Sequence, residues 1–386
     1  TKNPAACNNA YGAGVHVKTV LYINATGEIS GAERSLLAIL DALDRQQWHP
    51  IVAAPDGPLL EAVAKRQIKT IPIRLHPLQR PRSIRHGAQF FSALQYNRRA
   101  TSAVIQHVNA DIVHANSTPA MLCSAGTTYL PLIWQVRDLV PLGIIGMLLY
   151  RQATRVAVIS SAVRDDIVRY AHDGGTKIYN LPPAVDTTVF APAQDKRVLR
   201  ERLGLPLDTF LIGHIAQFVP WKRHDLFLDA MTRVVSLPCH AVLSGANLSG
   251  DTTYLSHLSD RISTPPLSGH VTLLPWQDNA ATLTAALDLS VLTSHNEPFG
   301  RVLIEALSCK VPAIAVDEGG ARDIVLHDIC GLLVPADHDA LATAITRCMQ
   351  SSELCMRYGS AGHSRVIENF GLDRQRSYVN ALYGNI

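Results

Sequence analysis

The chain has 386 residues, too many for one ordinary domain and comfortable for two. With 47% apolar and 17% charged residues it has a globular composition, which excludes a disordered or fibrous chain. Its net charge of +3 conceals an asymmetry, because residues 1–183 hold 19 Lys and Arg against 11 Asp and Glu, while residues 184–386 hold 16 against 21.

In chain order, residues 1–16 are small, polar and Gly-rich, without the apolar core of a signal peptide, and read as a flexible tail. From there, short β-branched runs alternate with longer amphipathic ones, the pattern of βαβ units and parallel sheets covered on both faces. Strands are predicted at 17–23, 50–54, 111–115, 132–136 and 155–159, with helices in the gaps beginning at 32–43 and 59–65. The run breaks at Pro182-Pro183, which excludes helix and removes ladder donors. It restarts with strands at 210–216, 240–244, 271–274, 289–293 and 312–316, and helices at 223–235 and 301–308. Helices at 353–369 and 372–383 follow, and the pattern alone does not place them. The fold class is therefore α/β, with two doubly wound Rossmann-like domains facing each other across a cleft at their strand C-terminal edges.

The basic half suggests an anionic partner. No nucleic-acid-binding signature appears, so an anionic membrane surface or a phosphate-bearing acceptor fits better. The basic stretch from Arg74 through Arg80, Arg82, Arg85 and His86 to Arg98-Arg99, and the apolar run 143–150, both lie in this half. Together they suit a peripheral enzyme, and a solvated basic face beside a buried core helix suits them equally well. Seven scattered cysteines without a C-x-x-C pair read as reduced thiols of a cytoplasmic protein, peripheral to the inner membrane face if the basic half docks there.

The most informative segment runs from Ser294 to Leu307 and sets Glu297 and Glu305 eight positions apart, the first in a turn with Pro298 and Gly300, the second within a helix. Gly300 permits close backbone approach, and the helix start offers unpaired N–H groups to phosphate. The two carboxylates can accept hydrogen bonds from vicinal hydroxyls of a sugar or ribose. Upstream, Lys222 follows the first strand of this half and is placed to neutralise phosphate; downstream, Gly319-Gly320 follows the next strand and is expected to face the same ligand. Asp337-His338-Asp339 matches a metal motif, but its place before an Ala-rich helix makes Asp337 an N-cap. Neither G-x-G-x-x-G, nor a P-loop, nor H-E-x-x-H is present, which argues against dehydrogenase, NTPase and metalloprotease readings.

In this order, E-x7-E, the strand–turn–Lys block and the Gly-Gly turn resemble the retaining GT-B glycosyltransferases of family four, across residues 17–385 and most specifically 212–335. The resemblance implies an N-terminal acceptor-side domain at 17–183, a nucleotide-sugar-binding domain at 184–370, and a final helix at 371–386 returning to the first domain. It implies transfer from a nucleoside diphosphate sugar, UDP before GDP, to a glycan, lipid-linked or small-molecule hydroxyl, with no metal and no other cofactor. Glu297 would lie against the donor sugar and Glu305 would grip the ribose. Lys222 and the segment Phe299, Gly300, Arg301 and Val302 would meet the diphosphate. Gln217 stands where the family has arginine, so Arg223 or Arg34 would compensate. Gly31 opens the N-terminal glycine loop. Arg137-Asp138 replaces the family histidine, with His114 and Asn116 beside it on the cleft, and Leu274 and Trp276 border the base pocket. A nucleotide-sugar epimerase, a phosphorylase and a non-catalytic nucleotide-sugar-binding protein stand as alternatives.

Overall fold

The computed structural model describes residues 17–78, 83–247, 252–275, 279–384 and 386. The expected tail, Arg80, Arg82 and Trp276 lie outside the described residues. The strands are β1 (Lys18–Ile23), β2 (Trp48–Ala54), β3 (Lys69–Pro72), β4 (Ile112–Ala115), β5 (Leu132–Val136), β6 (Arg155–Val158) and β7 (Ile178–Asn180). A second set comprises β8 (Phe210–Ile215), β9 (Cys239–Ser244), β10 (Val271–Leu274), β11 (Leu289–Leu292), β12 (Ala313–Val316) and β13 (Gly331–Val334). The first seven form one parallel sheet in the order β3-β2-β1-β4-β5-β6-β7, and the rest form another in the order β10-β9-β8-β11-β12-β13.

Each sheet changes winding direction once, between β1 and β4 in the first and between β8 and β11 in the second. At such a point neighbouring crossovers leave on opposite faces, so the strand ends open a crevice. The central strands are apolar almost throughout and buried, as two helical layers require. Three strands were not anticipated, β3, β7 and β13, and each lies at a sheet edge. β3 and β7 are short and partly exposed, so they lack the long apolar run that marks a doubly covered strand.

The chain crosses back at its end. The Ser352–Phe370 helix packs on the Arg301–Ser308 helix of the second sheet, and the Leu372–Tyr383 helix packs on the Gly31–Ala42 helix of the first. Val379, Leu382 and Tyr383 share one apolar cluster with Val20, Tyr22, Leu36 and Trp48. The apolar run at 143–150 forms the Ile144–Gln152 helix, and it is not a buried core helix. Gly146, Leu149 and Tyr150 are buried, whereas Ile144, Ile145, Met147 and Leu148 are exposed. Asp337 caps the His338–Met349 helix, accepting from Ala340 N at 2.8 Å.

Candidate functional site

Segments that follow β1, β5, β8 and β11 meet in one cleft of about 410 Å³. The turn after β11 brings Glu297, Pro298, Phe299 and Gly300, and the Arg301–Ser308 helix adds Arg301, Val302 and Glu305. The segment after β8 brings Gln217, Trp221 and Lys222, and the first domain contributes Gly31, Arg34, Arg137 and Asp138. Gly300 caps the helix with φ of +97°, a left-handed conformation that side chains resist.

Lys222 is set by a short 3-10 turn, Pro220–Lys222, stitched to the end of β11. Thr293 Oγ1 donates to the Lys222 carbonyl at 2.9 Å, and His295 N donates to the Trp221 carbonyl at 2.8 Å. The Lys222 ammonium then pairs with Glu297 at 2.6 Å and lies 3.9 Å from the Trp221 ring centroid. Both charged side chains are nearly buried, so this pair is weakly screened. Glu305 pairs with Arg301 at 3.1 Å. Arg301 also donates to the Ala184 carbonyl at 3.2 Å and to Ser35 Oγ at 3.3 Å, the latter tying the second domain to the first. Gly31 faces Arg301, where an added β-carbon would stand 3.8 Å from Arg301 Cδ.

Several residues lie elsewhere than expected. Arg223 is absent from the cleft wall, because its guanidinium turns to Glu318 at 2.9 Å and His295 at 2.7 Å. His114 and Asn116 are wholly buried behind the wall. His114 Nε2 meets Gln135 Oε1 at 3.0 Å and Nδ1 meets the Tyr383 hydroxyl at 2.6 Å. Arg137 donates to that same Gln135 oxygen, so the oxygen must accept from His114 too; the neutral ring carries its proton on Nε2, and Tyr383 donates to Nδ1. Burial pulls the His114 pKa down to about 3. Leu274, the last residue of β10, packs against an apolar cluster and is not on the wall. Gly319 and Gly320 are not on the cleft wall either. They back the Glu297 turn, with Gly320 N donating to the Glu297 carbonyl at 2.7 Å, and a β-carbon on either would collide with the Glu297 or Pro298 backbone.

Ser160 is a site residue that sequence does not reveal. Its hydroxyl donates to the Pro298 carbonyl at 2.6 Å, joining the first domain to the Glu297 turn, and next to it Ser161 N donates to Asp323 at 2.6 Å. A serine at a helix start reads as a cap, and nothing local marks a bond to a distant domain. Ala246, Ala280 and Pro183 also line the cleft, and being small and apolar they leave no chemical signal.

Two facing doubly wound domains, with an anion-ready helix start and paired lysine and carboxylates in the crevice, define the GT-B class of architecture. Residues 195–365 match the family model for glycosyl transferases group 1, and residues 29–189 match that for glycosyltransferase family 4. The chain belongs to the group 1, family 4 glycosyltransferases of the GT-B fold.

Among curated relatives, the D-inositol 3-phosphate glycosyltransferase of Xylanimonas cellulosilytica is 34% identical over 234 residues, covering 57% of this chain and 54% of that protein. Its namesake from Mycolicibacterium paratuberculosis is 31% identical over 241 residues, covering 60% and 53%. The chain thus spans about half the length of these relatives. Among solved structures, Anabaena HepE in complex with UDP and glucose superposes with a TM-score of 0.81 at 24% identity, covering 96% of this chain and 100% of that one. Sucrose-phosphate synthase of Thermosynechococcus elongatus gives 0.79 at 21% identity, covering 95% and 98%. At these identities the structural likeness speaks for the fold.

Proposed function

We propose that the chain is a retaining glycosyltransferase that moves a sugar from a nucleoside diphosphate sugar, a UDP-sugar first and a GDP-sugar second, to an acceptor hydroxyl. The observation that carries this reading is the convergence of Lys222, Glu297, Glu305 and the Arg301–Ser308 helix start in one interdomain cleft. The relatives' names and the UDP held by HepE support it.

In this reading the diphosphate lies against the N–H groups of residues 300–302 and the Lys222 ammonium. Negative charge grows there as the glycosidic bond breaks, so fixed donors stabilise the transition state more than the ground state. The assignment needs no metal, because lysine and amides carry that task. Glu297, relieved of Lys222 by the phosphate, turns to the sugar hydroxyls. Glu305 accepts from the ribose. No cleft carboxylate is set apart as a covalent nucleophile, so the acceptor attacks from the leaving-group face with the departing phosphate as base, which retains the anomeric configuration. Contacts such as Ser160 to Pro298 keep the cleft closed and exclude water that would hydrolyse the donor. The acceptor is a hydroxyl of a glycan, a lipid-linked sugar or a small molecule. The exposed apolar face of the Ile144–Gln152 helix, in the basic domain, favours work at an anionic membrane surface.

Calorimetry with UDP-, GDP- and dTDP-sugars on the protein, on Lys222→Ala and on Glu305→Ala tests the reading. Saturable binding of one nucleotide class, lost in both variants, is expected. Absence of binding to all three would remove the site assignment, and binding with turnover lacking an acceptor would favour an epimerase. Binding without turnover across an acceptor screen would favour a non-catalytic protein, and strict phosphate dependence would favour a phosphorylase.

A further inference from the structure

Arg137 directly follows β5 on the cleft wall and is only 6% exposed. Its Nε donates to the Asn116 carbonyl at 2.9 Å, and its Nη2 donates to Asn116 Oδ1 at 2.6 Å and to Gln135 Oε1 at 2.8 Å. All three acceptors are neutral. Among the described residues no carboxylate lies within 4.0 Å of the guanidinium, and none accepts a hydrogen bond from Nη1.

The chain treats its other buried or nearly buried cations differently. Arg200 is 5% exposed and meets Asp288 at 2.5 Å; Lys222 meets Glu297 and Arg301 meets Glu305. Glu33 and Asp138 act on Arg137 only from beyond ion-pair distance, against the like charge of Arg301, so its desolvation is less fully offset than that of a directly paired cation. Burial lowers the Arg137 pKa to about 10, which leaves it cationic at neutral pH. The guanidinium is also held rigidly. Gln135 is braced by His114, which is braced by Tyr383, and Asn116 Nδ2 donates to Asn24 Oδ1 at 2.7 Å. With Nε and Nη2 engaged, the two N–H groups of Nη1, on a rigidly held guanidinium at the cleft wall, are left to donate to an anion.

The position indicates which anion. β6 is the neighbour of β5, and Ser160, just beyond β6, touches Pro298 beside Glu297. Arg137 therefore stands opposite the Glu297 turn, across from the second-domain groups that take the diphosphate. We propose that Arg137 is a specificity residue that binds a second acidic group, a carboxylate or phosphate, carried by the substrate at the reacting end of the cleft. This inference rests on the nucleotide-sugar reading above. The acidic group has two sources, the sugar of the donor or the acceptor.

Two arms of one titration experiment separate the sources, each run on the protein, on Arg137→Gln and on Arg137→Lys. The donor arm compares UDP-glucuronate with UDP-glucose, and the acceptor arm compares inositol 3-phosphate with inositol at saturating UDP. In one arm the acidic ligand is expected to bind at least about tenfold tighter than its neutral counterpart. That ratio should fall to about one in Arg137→Gln and be partly kept in Arg137→Lys, while UDP alone binds all three proteins within about twofold. Equal binding of acidic and neutral ligands in both arms, with UDP still bound, overturns the proposal and leaves the nucleotide-sugar reading standing. So does a preference that survives Arg137→Gln. Failure of the unaltered protein to bind UDP removes both.

Discussion

Lys222 and Glu297 neutralise each other across 2.6 Å, and in the proposed function each is the group the other must release when a diphosphate sugar enters. A phosphate brings more negative charge to the ammonium than one carboxylate does, so substrate binding itself switches the pair. Removing the lysine removes a fixed donor to the leaving group and leaves Glu297 beside the incoming phosphates. Lys222→Ala is expected to lower kcat/KM by at least about 10²–10³-fold, the usual effect of deleting one preorganised donor. Glu297→Ala should cost turnover in the same range while UDP affinity holds or rises, since it frees the ammonium. Full transfer activity in Glu297→Ala would end the role given to that carboxylate. These side chains were legible in the sequence because turn and helix fix where they point. Arg223 was not, because it has a left-handed backbone at φ of +50° that swings its side chain toward Glu318, and no pattern announces that conformation. For His114, strand alternation gives two faces but not which neighbouring side chains fill the space beyond.

The helices and strands were legible in proportion to their cover. Central strands, apolar on both faces, stood out; the edge strands β3 and β7 did not, since half their surface faces water. The Ile144–Gln152 helix shows the limit most clearly. Its run is apolar on every side, so sequence cannot say which side is covered, and only the structure separates Leu149 and Tyr150 from the exposed Ile144, Ile145, Met147 and Leu148. Gly146 decides the orientation, because a β-carbon there would strike the Tyr170 ring at 2.9 Å, and its absence seats that side against the domain. Four large apolar side chains on one helix face, within a domain rich in arginine, match a surface that inserts shallowly among anionic headgroups. The protein is expected to cosediment with vesicles of phosphatidylglycerol and phosphatidylcholine and not with pure phosphatidylcholine. Ile145→Asp with Leu148→Asp should abolish that binding without moving the thermal midpoint, since both side chains are outside the core. Vesicle binding unaffected by the double variant would exclude this helix as the docking face.

What joins the two domains is carried mostly by contacts distant in sequence, which explains why the pairing of domains was legible and its fastenings were not. Arg301 reaches Ser35, Ser160 reaches Pro298, and the last helix delivers Tyr383 to His114 and Tyr22. Burial of histidines in these cores makes stability depend on pH. His114 and His224 are buried neutral, with burial pulling their pKa values down to about 3 and about 4. In the unfolded chain each titrates near 6.5, so below that pH the unfolded state binds protons that the folded state refuses. Folding free energy is thus fully retained above about pH 6.5 and is lost progressively as pH falls toward the folded values, by up to about 1.4 kcal/mol per pH unit for each such histidine. Carboxylates paired in the fold add their loss only below about pH 4, which leaves a window in which the histidines dominate. Urea denaturation at pH 7 and pH 5 should show the protein less stable at the lower pH, and His114→Gln should have a shallower dependence across the same interval. Tyr383→Phe should cost about 1–3 kcal/mol at pH 7 by leaving His114 Nδ1 buried without its donor. Equal stability at the two pH values would mean that these rings open to water and take up protons without unfolding, and the last helix would then be a looser fastening than its buried tyrosine implies.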